Sequence, residues 1–156
     1  MYGYFVNSDK TWLVVKEKHY GKAKEIFENT GVNITTEGRR HLGAALGCSA
    51  FVESYVEAQV DEWVKEVIRL SNIATTQPHC AYAGFRHSLV GKWTFLARTI
   101  DGIAPLFQPL EEAIRQQFIP ALLGREVPGD VERELLAMPA RLGGLGLVCP
   151  ETFPDH

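Results

Sequence analysis

Five histidines, three cysteines and scattered carboxylates set the side-chain chemistry open to this chain, and their spacing excludes most of it. His79, Cys80 and His87 fall on one predicted helix. Cys80 and His87 would lie two turns apart there, roughly 10 Å, too far for a single zinc ion to bridge, and no fourth ligand stands nearby. His19 and His41 are isolated, and no serine combines with a histidine and an acid in a nucleophile elbow. Glu111 and Glu112 are adjacent in sequence, so they cannot face each other across a site and read as a solvated face. The run Gly143-Gly144-Leu145-Gly146 lacks the lysine and the strand-loop-helix frame of a phosphate-cradling loop, and its spacing is not a dinucleotide fingerprint. No metal site and no self-contained active site are expected.

What remains is cationic. Arg39 and Arg40 stand within Thr35 to Gly47, where glycines at 38, 43 and 47 suit a hairpin whose backbone passes close to a partner. Arg86, Lys92 and Arg98 place three positive charges on a predicted helix, with no acidic residue from Gln77 to Ile100. The whole chain has 16 basic and 19 acidic residues and a net charge of −3, so affinity for nucleic acid would have to come from such local surfaces. Lysine and arginine on such a face have a physical reason to meet phosphates.

The elements that must carry these residues follow from periodicity. Asn7-Ser8-Asp9 is turn chemistry, and Thr11 to Val15 is rich in β-branched and aromatic residues, so a turn feeds a buried strand with Lys10 at its mouth. Tyr20, Ala23, Lys24, Ile26 and Phe27 keep helical spacing, and Gly31 supplies a stop signal. Val32 to Thr36 alternates as a strand does, and Arg40 to Leu46 is expected to pair with it or with a neighbour. This β-α-β-β third has too few strands to bury both faces of a sheet and reads as the end of a larger domain.

From Ser49, a plausible N-cap, to about Thr75, an apolar stripe of Val52, Val56, Val60, Trp63, Val64, Val67 and Leu70 predicts a helix roughly 40 Å long that needs a partner along its length. Pro78 opens that partner, whose stripe is Tyr82, Phe85, Leu89, Trp93 and Leu96. Asp101-Gly102 turns the chain, and Leu110 to Phe118 resumes helical spacing, with Pro120 expected to kink or end it and Gly124 to close it. Asp130 is expected to cap a last short helix running through Met138. The expected fold class is α+β, mainly α, divided into residues 1–48, 49–124 and 125–156.

Hydrophobic residues make up 46% of the chain and charged residues 22%, a globular balance that argues against disorder. Cys48, Cys80 and Cys149 lie far apart with no paired spacing, which fits a reducing compartment. Residues 1–7 lack the pattern of a signal peptide, and no stretch approaches the roughly 20 apolar residues of a membrane span. An intracellular protein, cytoplasmic or nuclear and with no membrane partner, is therefore expected.

Three passages carry a resemblance. Gly3-Tyr4-Phe5-Val6-Asn7-Ser8-Asp9-Lys10-Thr11, leading into an apolar strand, resembles the segment that follows the catalytic aspartates of reverse transcriptases. Gly31 to Gly47 looks like the hairpin that comes next in that family, whose Leu-Gly, here Leu42-Gly43, grips the primer end. Met138-Pro139-Ala140-Arg141-Leu142-Gly143-Gly144-Leu145-Gly146-Leu147 is similar to a passage after the thumb of retrotransposon polymerases.

The resemblance implies a palm end followed by a thumb. Lys10 would correspond to a palm lysine near the leaving pyrophosphate. Arg39, Arg40, Leu42 and Gly43 would meet the primer, and Arg86, Lys92 and Arg98 the phosphates of the RNA/DNA primer-template. It also implies Mg²⁺ for the full-length family, held by paired aspartates in a two-metal site. No Asp-Asp pair occurs in this sequence, so the chain alone is expected to bind no cofactor, to lack polymerase activity and to need the fingers and first palm strands as partners. The alternative expectation is a helical interaction module derived from a retroelement, self-associating through its orphaned sheet without binding nucleic acid.

Overall fold

A computed structural model describes residues 7–152, and the Gly3 to Val6 part of the reverse-transcriptase-like segment lies outside them. The chain is mainly helical, with 66% helix and 10% strand, which makes the fold α+β and mainly α. It divides into two compact units between Tyr55 and Val56.

In the first unit, Asn7 accepts a hydrogen bond from the Lys10 N–H and caps a single 3-10 turn, Ser8–Lys10. Strand β1 (Trp12–Val14) follows, then helix α1 (Tyr20–Phe27) and strand β2 (Asn33–Thr35). β1 and β2 pair in parallel, with Leu13 opposite Ile34, so the helix is the crossover that a parallel pair requires. Asn33 donates its side-chain N–H to the Asp9 carbonyl at 3.0 Å, which ties the first turn to β2 and fixes Lys10 at the head of β1.

Strands β3 (Gly38–His41) and β4 (Ala44–Gly47) form a separate antiparallel hairpin, with His41 opposite Ala44. Arg40 to Leu46 is therefore not one strand paired with Val32 to Thr36 or with a neighbour but folds back on itself, Arg40 opposite Ala45. Its loop is Leu42-Gly43, both at positive φ (49° and 89°), the backbone of the turn that matches strand twist in a two-residue hairpin. The Tyr55 hydroxyl donates to the Gly43 carbonyl at 2.8 Å and holds the hairpin tip.

Helix α2 (Ser49–Ala74) runs for 26 residues, as its apolar stripe requires. Ser49 already lies inside the helix, because the Val52 N–H is donated to the Cys48 carbonyl, so Ser49 is not the cap. In the second unit Val56, Val60, Trp63 and Val67 are buried at helical spacing.

Helices α3 (Pro78–Gly84) and α4 (Val90–Thr99) are one rod joined by a π-helical turn, Phe85–Leu89. Helices α5 (Gln108–Ala113) and α6 (Ile119–Leu123) are joined in the same way by Ile114–Phe118. Pro120 does not end the helix, which continues to Leu123. The wider turn, in which the Ile119 N–H reaches back to the Ile114 carbonyl, leaves room for a ring that cannot donate. Gly124 ends the helix at φ 63°. Trp63, Phe85, Trp93, Phe107 and Phe118 form the core, with Phe85 and Phe118 stacked at 4.7 Å and 14°.

Helix α7 (Asp130–Ala137) is not capped by Asp130: its N-cap is Gly129, and the Asp130 carboxylate accepts from Arg115 at 2.6 Å. The expectation that Glu111 is solvated is also overturned. Glu111 and Arg133 are 9% and 5% exposed and form a two-pronged ion pair at 2.6 and 2.7 Å, while the third guanidinium nitrogen donates to the Leu147 carbonyl at 2.7 Å. The pair forms because Glu111 stands on the buried stripe Phe107, Ile114, Phe118; only Glu112 faces water. The tail after α7 belongs to this second unit, held by Tyr82 donating to the Leu145 carbonyl at 2.6 Å and by Arg86 donating to the Gly146 carbonyl at 2.8 Å.

Candidate nucleic-acid interface

In the first unit a groove of about 470 Å³ gathers Asp9, Lys10, Trp12, Arg39, Arg40 and His41 from three segments: the 3-10 turn, β1 and β3. The pinned Asp9 carbonyl sets the position of Lys10, and the hairpin register sets the arginines. The Arg39 guanidinium carbon lies 4.2 Å from the centroid of the Trp12 ring, a cation-π contact that holds both groups in a fixed orientation. Trp12 remains 40% exposed. Among the described residues Lys10, Arg39 and Arg40 and the Asp9 carboxylate line the groove, so its chemistry suits an anion with a flat, apolar component. Low-dielectric walls around like charges focus the field on such a partner.

Beside the groove, Leu42 is 86% exposed and sits in the left-handed region, which costs an L residue roughly 1–2 kcal/mol. Asparagine is favoured at such a turn position. Leu42→Asn is accordingly expected to stabilise the fold by about 1 kcal/mol, read as a higher urea midpoint at unchanged slope. A lower midpoint would mean that the leucine side chain stabilises the hairpin more than its backbone strains it.

No family model, curated protein or solved structure matches the chain.

The helical cations are distributed differently. Residues six apart are separated by about 240° around a helix at 3.6 residues per turn, and Arg86, Lys92 and Arg98 accordingly have three different surroundings. Arg86 is committed to the Gly146 carbonyl, Lys92 is paired with Glu66 at 2.6 Å, and Arg98 is exposed with no ion-pair partner among the described residues. The Gly-Gly-Leu-Gly passage serves packing. The Arg86 guanidinium occupies the space that a Cβ on Gly146 would need, and a Cβ on Gly144 would meet the backbone carbonyls of Met138 and Leu135. Among the described residues no three His, Cys, Asp or Glu side chains converge as a metal site, and no helix is long and apolar enough to cross a membrane.

Two groove residues were missed in the sequence, Trp12 as a strand residue and His41 as an isolated one. A signal was available for the first, since Lys10, Trp12 and Val14 alternate and all line the groove. Cys149 lies near the buried ion pair. Burial, and secondarily the Glu111 carboxylate, pushes its thiol pKa up. Cys48 and Cys80 are exposed. Cys149 is thus expected to be alkylated slowest of the three at mildly alkaline pH, with the difference abolished in urea. Because its pKa is raised on folding, its contribution to stability is intact below the unfolded thiol pKa, about 8.5, and is lost as pH rises through the folded value. Equal alkylation rates in the native protein would refute this.

Proposed function

We propose that this chain supplies the palm-end grip and thumb of a retrotransposon reverse transcriptase, holding primer-template phosphates without carrying out polymerisation. One observation carries the reading: Lys10, Arg39 and Arg40, placed in the sequence by resemblance to two separate motifs, line a single groove. Lys10 and the two arginines bind the sugar-phosphate backbone, and Leu42-Gly43 at the adjoining tip abuts the primer. Arg98 adds a phosphate contact from the thumb. Lys92 would have to release Glu66 to join it, and Arg86 acts through the fold. Magnesium does not fit this groove, since a two-metal site needs paired carboxylates and Asp9 is the single carboxylate among the described residues that line it. The metals belong to the full polymerase, with its fingers and first palm strands.

The test is fluorescence anisotropy with a labelled, recessed RNA-DNA primer-template over a range of salt. Binding is expected to weaken with salt. Lys10→Ala/Arg39→Ala/Arg40→Ala should lower the log-log slope by about three, roughly one for each phosphate that is no longer neutralised. Arg98→Ala alone should lower it by about one. Salt-independent binding, or none at low salt, would refute the reading.

A second reading has its own support. Up to Tyr55, Ala23 and Ala45 are the only buried hydrophobic residues among those described, while Ile26 and Leu46 are 61% and 53% exposed. So thin a core favours a helical interaction module that covers its sheets by self-association. Concentration-dependent dimerisation in sedimentation, insensitive to salt and without nucleic-acid binding, would establish that reading in place of the first.

A further inference from the structure

Phosphate binding requires only the cations, and the groove contains more than cations. Trp12 is the one tryptophan that reaches solvent, at 40% exposed against 5% for Trp63 and 0% for Trp93. Two-fifths of its surface stays in water, so part of the ring is open to a ligand. Arg39 lies over the ring at 4.2 Å and restrains it, so little rotamer freedom remains to be given up when a ligand stacks there. Lys10 and Arg40 line the same groove. A flat aromatic platform flanked by cations is the combination that takes a nucleobase on the ring and its phosphates on the charges, and it does so without reading sequence. A base paired inside a duplex is stacked between its neighbours and cannot offer that face.

We infer that the groove takes an unpaired nucleotide of an RNA or DNA strand, its base stacked on the Trp12-Arg39 pair and its flanking phosphates on Lys10 and Arg40. The inference rests on the phosphate-binding reading above and adds the class of ligand: single-stranded rather than fully paired nucleic acid. The volume of about 470 Å³ suits one nucleotide, within the roughly 300–1,000 Å³ of ordinary ligand sites.

Because Trp63 and Trp93 are buried, tryptophan emission quenched by a ligand at this groove reports on Trp12. The full chain is titrated at low salt with three probes: a short oligo(dT), an abasic strand of the same length, and a blunt duplex. Oligo(dT) is expected to quench the emission and to bind more tightly than the abasic strand, which retains the phosphates but lacks bases. Trp12→Leu, which keeps apolar bulk without an aromatic face, should weaken oligo(dT) binding about five- to 150-fold and weaken the abasic strand far less, through the loss of Arg39 orientation alone. Trp12→Phe should retain most of the affinity, and it decides the matter if the leucine variant does not fold by circular dichroism. Equal binding of oligo(dT) and abasic strand, or a Trp12→Leu variant with undiminished oligo(dT) affinity, overturns this inference and leaves the phosphate reading standing. Failure of all three probes to bind overturns both.

Discussion

Glu111→Ala is expected to destabilise the second unit by about 3–5 kcal/mol, the usual cost of stranding one partner of a buried ion pair. The guanidinium of Arg133 would keep its bond to the Leu147 carbonyl but be left without either carboxylate oxygen, and at 5% exposure it has little access to water in their place. Arg133→Ala should cost a similar amount, because it strands Glu111 and also the Leu147 carbonyl. The double variant Glu111→Met/Arg133→Leu distinguishes pairing from packing. Removing both charges removes both desolvation penalties, and such replacements are often neutral or stabilising. Here the double variant should be less damaging than either single alanine, although it still leaves the Leu147 carbonyl without its donor, a cost of about 1–3 kcal/mol. Urea unfolding followed through the buried indoles measures all three. A single-variant cost below about 1 kcal/mol would mean that water reaches the pair and that it does not behave as a buried one.

Phe118→Ala is expected to cost about 3–5 kcal/mol, as large-to-small changes at fully enclosed aromatic sites do. Phe118 closes the π-helical turn Ile114–Phe118, and its stacking partner Phe85 opens the turn Phe85–Leu89. Phe85 also meets Trp93 at 5.6 Å, so the vacated volume is bounded by rings that cannot easily collapse into it. Phe85→Ala should cost as much. A double-mutant cycle on the pair should return a coupling of about 0.5–1.5 kcal/mol beyond area burial. Strict additivity would show that the stack contributes burial only. The π turn Ile114–Phe118 is expected to persist in the variants, because Pro120, which the wider turn accommodates, is unchanged.

Much of the helical architecture was legible in the chain. The spacing of Val56, Val60, Trp63 and Val67 marks the buried face of α2, and Pro78 and Gly124 mark where a helix starts and where one stops, because periodicity and terminal residues act within a single element. The strand after Lys10 and the crossover helix were legible for the same reason, but the strand is not buried as expected: Trp12 is exposed and Leu13 and Val14 are half-buried, because one parallel partner cannot cover both of its faces. The unequal surroundings of Arg86, Lys92 and Arg98 were implicit in their six-residue spacing, although the absence of nearby acids suggested a common face.

What the sequence by itself determined is therefore which residues belong to which element and which side of each element avoids water. Tertiary structure alone decided what lies across from that side: that the Arg40 to Leu46 segment folds back on itself, that Lys10 and Trp12 share a groove with Arg39 and Arg40, and that Glu111 finds Arg133. The physical reason is range. Helix and strand periodicity act over a few residues and point a side chain inward or outward, whereas a charge pair across 22 positions, or a groove built from three segments, exists only once packing has chosen which buried faces touch.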